Sequence, residues 1–94
     1  MGFNYAPVAG GVQMNCTLSA AASVDVVVRN VAGRVVRHVW QDRQTPAGDT
    51  TVLWTGQADS GLAVPNGAYV VQITARSPET GEQTGLLRTV YYHR

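Results

Sequence analysis

Residues able to perform acid–base or nucleophilic chemistry are few in this sequence, and their spacing matches no familiar catalytic motif. The acidic residues lie mostly in or beside segments rich in turn-forming residues, where Asp is favoured because its side chain bonds nearby backbone amides. We therefore interpret them as solvated or turn-capping groups. They are Asp25, Asp42, Asp49, Asp59, Glu79 and Glu82.

Residues that could bind a metal ion are equally sparse. Asp59, together with Asp42 or Asp49, could form a loop calcium site, but the regular alternation of acidic residues in a calcium loop is missing. His38 falls in the middle of a predicted strand and His93 lies near the C-terminus, without the paired His or Cys spacing of a zinc site. The sequence therefore predicts no metal and no cofactor.

Cys16 is the single cysteine, so an internal disulfide is excluded. It falls on the apolar phase of an alternating segment, and we expect a small buried side chain rather than a nucleophile. No nucleophile elbow, phosphate loop or dinucleotide-binding glycine motif is present. These observations predict that the protein is not an enzyme.

Composition limits the remaining functions. The 94 residues are enough for one domain, 45% are hydrophobic and 14% charged, and the net charge is +1. This small charge gives no electrostatic basis for binding nucleic acid or an anionic membrane. No apolar run approaches the ~20 residues of a membrane helix, so we expect no membrane insertion. The start, residues 1–5, lacks signal-peptide features, and an export signal would belong to a longer parent chain.

Alternating apolar and polar residues predict a series of short strands separated by turn signals every 8–12 residues. No segment of ten or more residues has a helical period, so no substantial helix is expected. The pattern predicts an all-β fold, an immunoglobulin-like or fibronectin III-like β-sandwich of about seven antiparallel strands. The clearest strands are residues 12–18, 24–29, 34–40, 50–54, 69–76 and 86–92.

Domain boundaries follow from the glycines. Residues 1–11 end in Ala9-Gly10-Gly11 and are interpreted as a leader or linker, with the sandwich domain spanning residues 12–94. Residues 41–48 are polar and include Pro46 and Gly48, so they are predicted to be a loop.

A shaped connection between two strands runs from Trp54 to Tyr69. Val64-Pro65-Asn66-Gly67 is typical of a β-turn, with Pro65 where its fixed φ is favourable and Gly67 last. Gly61, and Gly33 in an earlier hairpin, suit left-handed positions. Trp54 is predicted to be a buried anchor facing Val26, Tyr69 and Val71, although these aromatic residues, with Trp40, Tyr91 and Tyr92, could instead form a sugar-stacking platform.

The hairpin over residues 24–40 has more apolar residues than one buried face requires. Val27, Val31 and Trp40 are therefore a candidate partner-binding patch. Two structural explanations compete with it. A β-bulge near Arg37 would turn successive apolar residues inward, or Phe3, Tyr5 and Val8 of the leader would cover the surface.

The order and spacing of these motifs resemble the immunoglobulin-like domain of the flagellar hook-capping protein FlgD and similar modules of bacterial secreted and surface proteins. One departure is Thr55, where the family usually has Asp between Trp54 and Gly56. The resemblance covers about residues 12 to 92. It is carried by residues 24–28, 30–37, 47–48, 54–56, 61 and 64–69.

The resemblance implies a structural module that assembles with other domains of a parent chain or with copies of itself, in an extracellular or cell-surface location. A carbohydrate-binding module is the alternative, favoured if a row of coplanar aromatic rings were exposed on one face. An enzyme ranks third, because it would need a pocket with convergent polar groups.

Overall fold

Seven strands and no helix form in residues 2–94, which the computed structural model describes. All six strands expected from residue 12 onward are present, because β-branched and aromatic residues at alternating positions suit a pleated surface with one buried side. The strands are β1 (Gly2–Val8), β2 (Gly11–Leu18), β3 (Ala22–Arg29), β4 (Val35–Thr45), β5 (Gly48–Trp54), β6 (Gly67–Arg76) and β7 (Gln83–Tyr92).

The strands form two antiparallel sheets. One has three strands in the order β1-β2-β5 and the other has four in the order β4-β3-β6-β7. The sheets pack face to face over one core, which confirms the predicted immunoglobulin-like sandwich. The described residues include no helix that is both long and apolar enough to cross a bilayer.

Inward-facing residues of both sheets fill the core. Trp54 is 1% exposed, as expected for a buried anchor. Cys16 is also buried, and burial raises the pKa of its thiol, so the thiol remains protonated and packs as an apolar group. The largest fully buried side chains are Trp54, Met14, Ile73, Val12, Val26, Val28, Val52, Val71 and Val90.

Strand β1 corrects the expectation that residues 1–11 are a leader or linker. Gly2–Val8 pairs with β2 along its length, and Phe3 and Tyr5 pack against the core. Gly10, with φ of 75°, lies in the tight turn between β1 and β2, so the glycines mark a hairpin. Met1, part of the same expectation, lies outside the described residues.

Strand β4 extends to Thr45 and replaces the first half of the loop predicted over residues 41–48. Its polar residues suit an edge strand, which is exposed on most of its surface. The pairing of β3 with β4 shifts register between Val24 and Val26, between Val26 and Val27, and between Val28 and Arg29. These irregularities are the bulge that the sequence offered as an alternative to a binding patch.

Candidate interaction surface

The connection between β5 and β6 is anchored by an aromatic cluster. The ring of Trp54 lies 5.1 Å from that of Tyr69 in an edge arrangement and 5.3 Å from that of Tyr92. The Trp54 Nε1 donates a hydrogen bond to the Gln57 carbonyl oxygen at 3.0 Å. The buried indole therefore satisfies its polar atom and fixes the first turn of the connection.

Glycines with positive φ shape the turns that the sequence singled out. Gly56, at φ of 75°, faces the Tyr92 ring so closely that a Cβ would overlap it. Gly33, Gly61 and Gly67 have φ of 85°, 88° and 148°. Pro65 supplies the carbonyl oxygen that accepts a 2.6 Å hydrogen bond from the Tyr69 hydroxyl. The motif residues thus act on backbone geometry and packing.

A polar clamp, made of Arg37, His38 and Asp59, ties β4 to the same connection. Asp59 accepts hydrogen bonds from the His38 backbone N–H at 2.9 Å and from the His38 Nδ1 at 2.7 Å. Its carboxylate also lies 4.0 Å from the Arg37 Nε. The backbone bond from His38, its ring and the Arg37 charge lower the pKa of Asp59. The clamp therefore joins β4 to the connection between β5 and β6.

The remaining acidic residues are spread over the molecule. Asp25 accepts a 2.8 Å hydrogen bond from the Asp42 backbone N–H. Asp49 accepts a 2.8 Å bond from the Thr17 hydroxyl. Residues 2–94 contain no group of three or more His, Cys, Asp or Glu side chains that could hold a metal ion.

An open cavity of about 300 Å³ lies beside the β2–β3 connection and the β6–β7 turn. Its described lining is small apolar or hydroxyl side chains with Leu18 and one carboxylate, that of Glu82.

The structure does not bring the proposed patch residues together on one outward face. Val27 faces outward and lies opposite His38. Val31 is 78% exposed, at the tip of the β3–β4 turn. Trp40 lies opposite the buried Val26 and packs against the core, with the Arg43 guanidinium 4.2 Å above its ring. The bulges turn Trp40 inward, which excludes it from a surface shared with Val27.

A different apolar surface covers the outside of the four-stranded sheet. Leu87 is 59% exposed and Tyr91 62% exposed, both on β7. Leu87 lies opposite Gln72, and Gln72 lies opposite Val27, so these side chains form one row across the sheet. We call this surface the apolar face. Its apolar members are Val27, Val35, Ala68, Val70, Leu87 and Tyr91.

The outside of the three-stranded sheet is polar by contrast. The Asn15 Nδ2 donates to the Asn4 Oδ1 at 3.1 Å, and the Thr51 hydroxyl donates to the Asn15 Oδ1 at 3.1 Å. Among the described residues, Leu53 is the one large apolar side chain that is exposed on this outer face. The polar side chains of this face hydrogen-bond one another, so they are satisfied without a partner. The described residues of the apolar face form no comparable series of side-chain hydrogen bonds.

Arg29 lies on the apolar face and is held in position. Its Nε donates to the Gln72 Oε1 at 3.1 Å, and its Nη1 donates to the Gly33 carbonyl oxygen at 3.1 Å. Fixed arginines and exposed aromatic residues are the side chains that contribute most to protein interfaces. The patch inferred from the sequence did not include Leu87, and Tyr91 was considered only as a sugar-stacking ring. Both residues lie in segments of β7 that are apolar on both phases, Leu86-Leu87 and Tyr91-Tyr92.

The sugar-stacking alternative required several exposed, coplanar rings. Trp54, Tyr69 and Tyr92 are buried, and Trp40 is partly buried beneath Arg43. Tyr91 is the exposed member of the set. One exposed ring does not form an aromatic platform.

These features define an immunoglobulin-like β-sandwich domain with an aromatic-anchored connection and outer faces of unequal polarity. The model of the FlgD Ig-like domain family matches residues 5–79, and the chain belongs to that family. This confirms the resemblance seen in the sequence. The match includes residues 5–8 of β1, in agreement with the place of this strand in the sheet.

Among solved structures, the chain is similar to a crystal structure of FlgD from P. aeruginosa. The TM-score is 0.72 at 25% sequence identity, and the match covers 97% of this chain and 66% of that chain. The chain therefore spans somewhat less than two thirds of that relative. No curated protein matches the chain.

Proposed function

We propose that this domain is a non-catalytic assembly module of a bacterial secreted, surface or appendage protein and acts through protein–protein contacts. Membership of the FlgD Ig-like family supports a structural role. The similarity to FlgD of P. aeruginosa supports a place in a larger extracellular assembly.

One observation carries the proposal: the two sheets have outer faces of opposite character. The three-stranded sheet carries a ladder of bonded Asn and Thr side chains. The four-stranded sheet exposes Leu87 and Tyr91 beside the fixed Arg29. A contiguous exposed apolar surface is a feature of protein–protein interaction sites. Other domains of the parent chain and other copies of this chain are the partners that fit.

Site-specific photo-crosslinking in the cells that produce the parent protein tests the proposal. A photoreactive phenylalanine derivative at Leu87 should give adducts with protein. The same group at Leu53, which is 53% exposed against 59% for Leu87, is the matched control and should give none. Recovery of the parent protein in the surface or extracellular fraction tests the location. The proposal fails if Leu87 gives no protein adduct.

A further inference from the structure

We propose that the apolar face binds a second copy of this chain, with the two four-stranded sheets stacked face to face about a two-fold axis. The inference rests on the proposed role as an interaction module and names its partner. It follows from the way opposite charges and apolar residues are placed along β3 and β7.

The outward residues form successive rows across the sheet. The central row holds His38, Val27, Gln72 and Leu87. Arg29 lies two residues from Val27 along β3, and Asp25 lies two residues away in the other direction. Each step of two residues is about 6.6 Å along a strand, so the Cα atoms of Arg29 and Asp25 lie at about equal distances from the central row.

A two-fold axis that crosses the strands at the central row reverses the strand direction in the second copy. This operation places Val27 on Val27 and Leu87 on Leu87, which buries the two apolar side chains of the central row. It also places each Arg29 opposite Asp25 of the second copy. The interface is therefore self-complementary in charge, as an isologous contact requires.

Neither charged group makes an ion pair within the described part of its own chain. Asp25 uses its Oδ1 to accept the Asp42 backbone N–H, so its second carboxylate oxygen can accept from an arginine. Arg29 uses its Nε and Nη1, so its Nη2 remains available to donate to a carboxylate of a second copy. An alternative axis, parallel to the strands and centred on β3, would oppose Arg29 to Arg29 and is disfavoured by like-charge repulsion.

The size of the face sets the strength of the contact. Four strands about 4.8 Å apart and about 25 Å long offer roughly 500 Å² per copy. The total of about 1,000 Å² is at the lower limit for a specific interface. We therefore expect a weak, reversible dimer that forms at chain concentrations of roughly 10 µM to 1 mM.

Sedimentation velocity of the 94-residue chain over that concentration range tests the inference. The mass should rise from 10.0 kDa towards a dimer, and the dimer should weaken at high salt because its ion pairs are screened. Arg29→Asp or Asp25→Arg alone should abolish the rise. The double variant Arg29→Asp with Asp25→Arg should restore it, with circular dichroism checking that each variant is folded.

A second pair of variants does not disturb the charged residues. Leu87→Glu should abolish dimerisation, because it opposes two carboxylates at the axis, while Leu53→Glu on the other sheet should leave it intact. A chain that stays monomeric at 1 mM, or a dimer insensitive to Leu87→Glu or Arg29→Asp, overturns the inference. If Leu87 crosslinks to a different protein and the chain remains monomeric, the inferred dimer is overturned. The proposed assembly role is then still supported.

Discussion

The Tyr69 hydroxyl donates a hydrogen bond to the Pro65 carbonyl oxygen at 2.6 Å. The bond ties the start of β6 to the segment that arrives from the opposite sheet, in the manner of the tyrosine corner of immunoglobulin-like sandwiches. Burial, and then the neighbouring Tyr92, raise the pKa of Tyr69. The phenol therefore remains a protonated donor well above neutral pH.

Tyr69→Phe removes this hydrogen bond and little else. We expect a loss of about 0.5–1.5 kcal/mol in the free energy of unfolding, the usual net value of one bond. Chemical denaturation measures it. The control is Tyr91→Phe, which alters an exposed hydroxyl and should leave stability unchanged; equal effects of the two changes would contradict the role assigned to the Pro65 bond.

Gly56→Ala should be more damaging than Gly61→Ala. Both residues have positive φ, 75° and 88°, so both variants bear the conformational cost of about 1–2 kcal/mol. Only at Gly56 would the added Cβ meet the Tyr92 ring, whereas around Gly61 the space is open. Overpacking should add about 1–3 kcal/mol. Thermal unfolding compares them, and equal melting temperatures would show that the Tyr92 contact is unimportant.

Trp54→Ala should cost about 3–5 kcal/mol, because it leaves a cavity between Tyr69 and Tyr92 in the centre of the core. That loss is a large part of the stability of a small domain. Trp40→Ala should cost less, since Trp40 is only partly buried at the edge. Urea unfolding gives both values; a Trp40 effect as large as that of Trp54 would contradict the placement of the anchor.

The clamp at Asp59 should make the fold sensitive to acid. Its pKa is lowered from the ordinary 3.8 in the folded protein. The stabilisation of the folded state by the ionised Asp59 carboxylate is therefore fully present above the ordinary pKa of 3.8. It is lost as the pH falls through the lower pKa of the folded protein. Asp59→Asn should reduce the loss of melting temperature on acidification below about pH 4.

The causes of that pKa shift can be separated. The His38 backbone bond is the largest cause, and the His38 ring comes second. His38→Gln keeps the backbone donor, so the pKa of Asp59 should remain below its ordinary value. Titration of the Asp59 carboxyl carbon by NMR measures this, and a return to the ordinary pKa in His38→Gln would show that the ring dominates.

The sequence predicted the strands that have one buried and one exposed side, because this geometry leaves a period of two. It failed at two of the four sheet edges, β1 and the end of β4. In β1, the glycines after Val8 resemble a linker as much as a hairpin turn. In β4, residues 41–45 are polar because an edge strand is exposed on most of its surface, so no apolar alternation marks it.

The interaction surface was harder to predict than the fold. A bulge changes which side of a strand each later residue faces, so Trp40 could not be assigned a side from periodicity. Val27 was placed correctly on the outward phase. Leu87 and Tyr91 could be placed on the same face as Val27 only once the pairing between β6 and β7 was known. The sequence alone does not show which strands are neighbours.

The two tryptophans give the domain built-in optical reporters of different regions. The Trp54 indole is enclosed by apolar groups and should fluoresce at short wavelength, with Tyr69 and Tyr92 close enough to transfer excitation to it. Trp40, partly open to water beneath Arg43, should emit further to the red. Trp40→Phe would therefore leave a single emitter that senses the core alone, and Trp54→Phe one that senses the bulged edge.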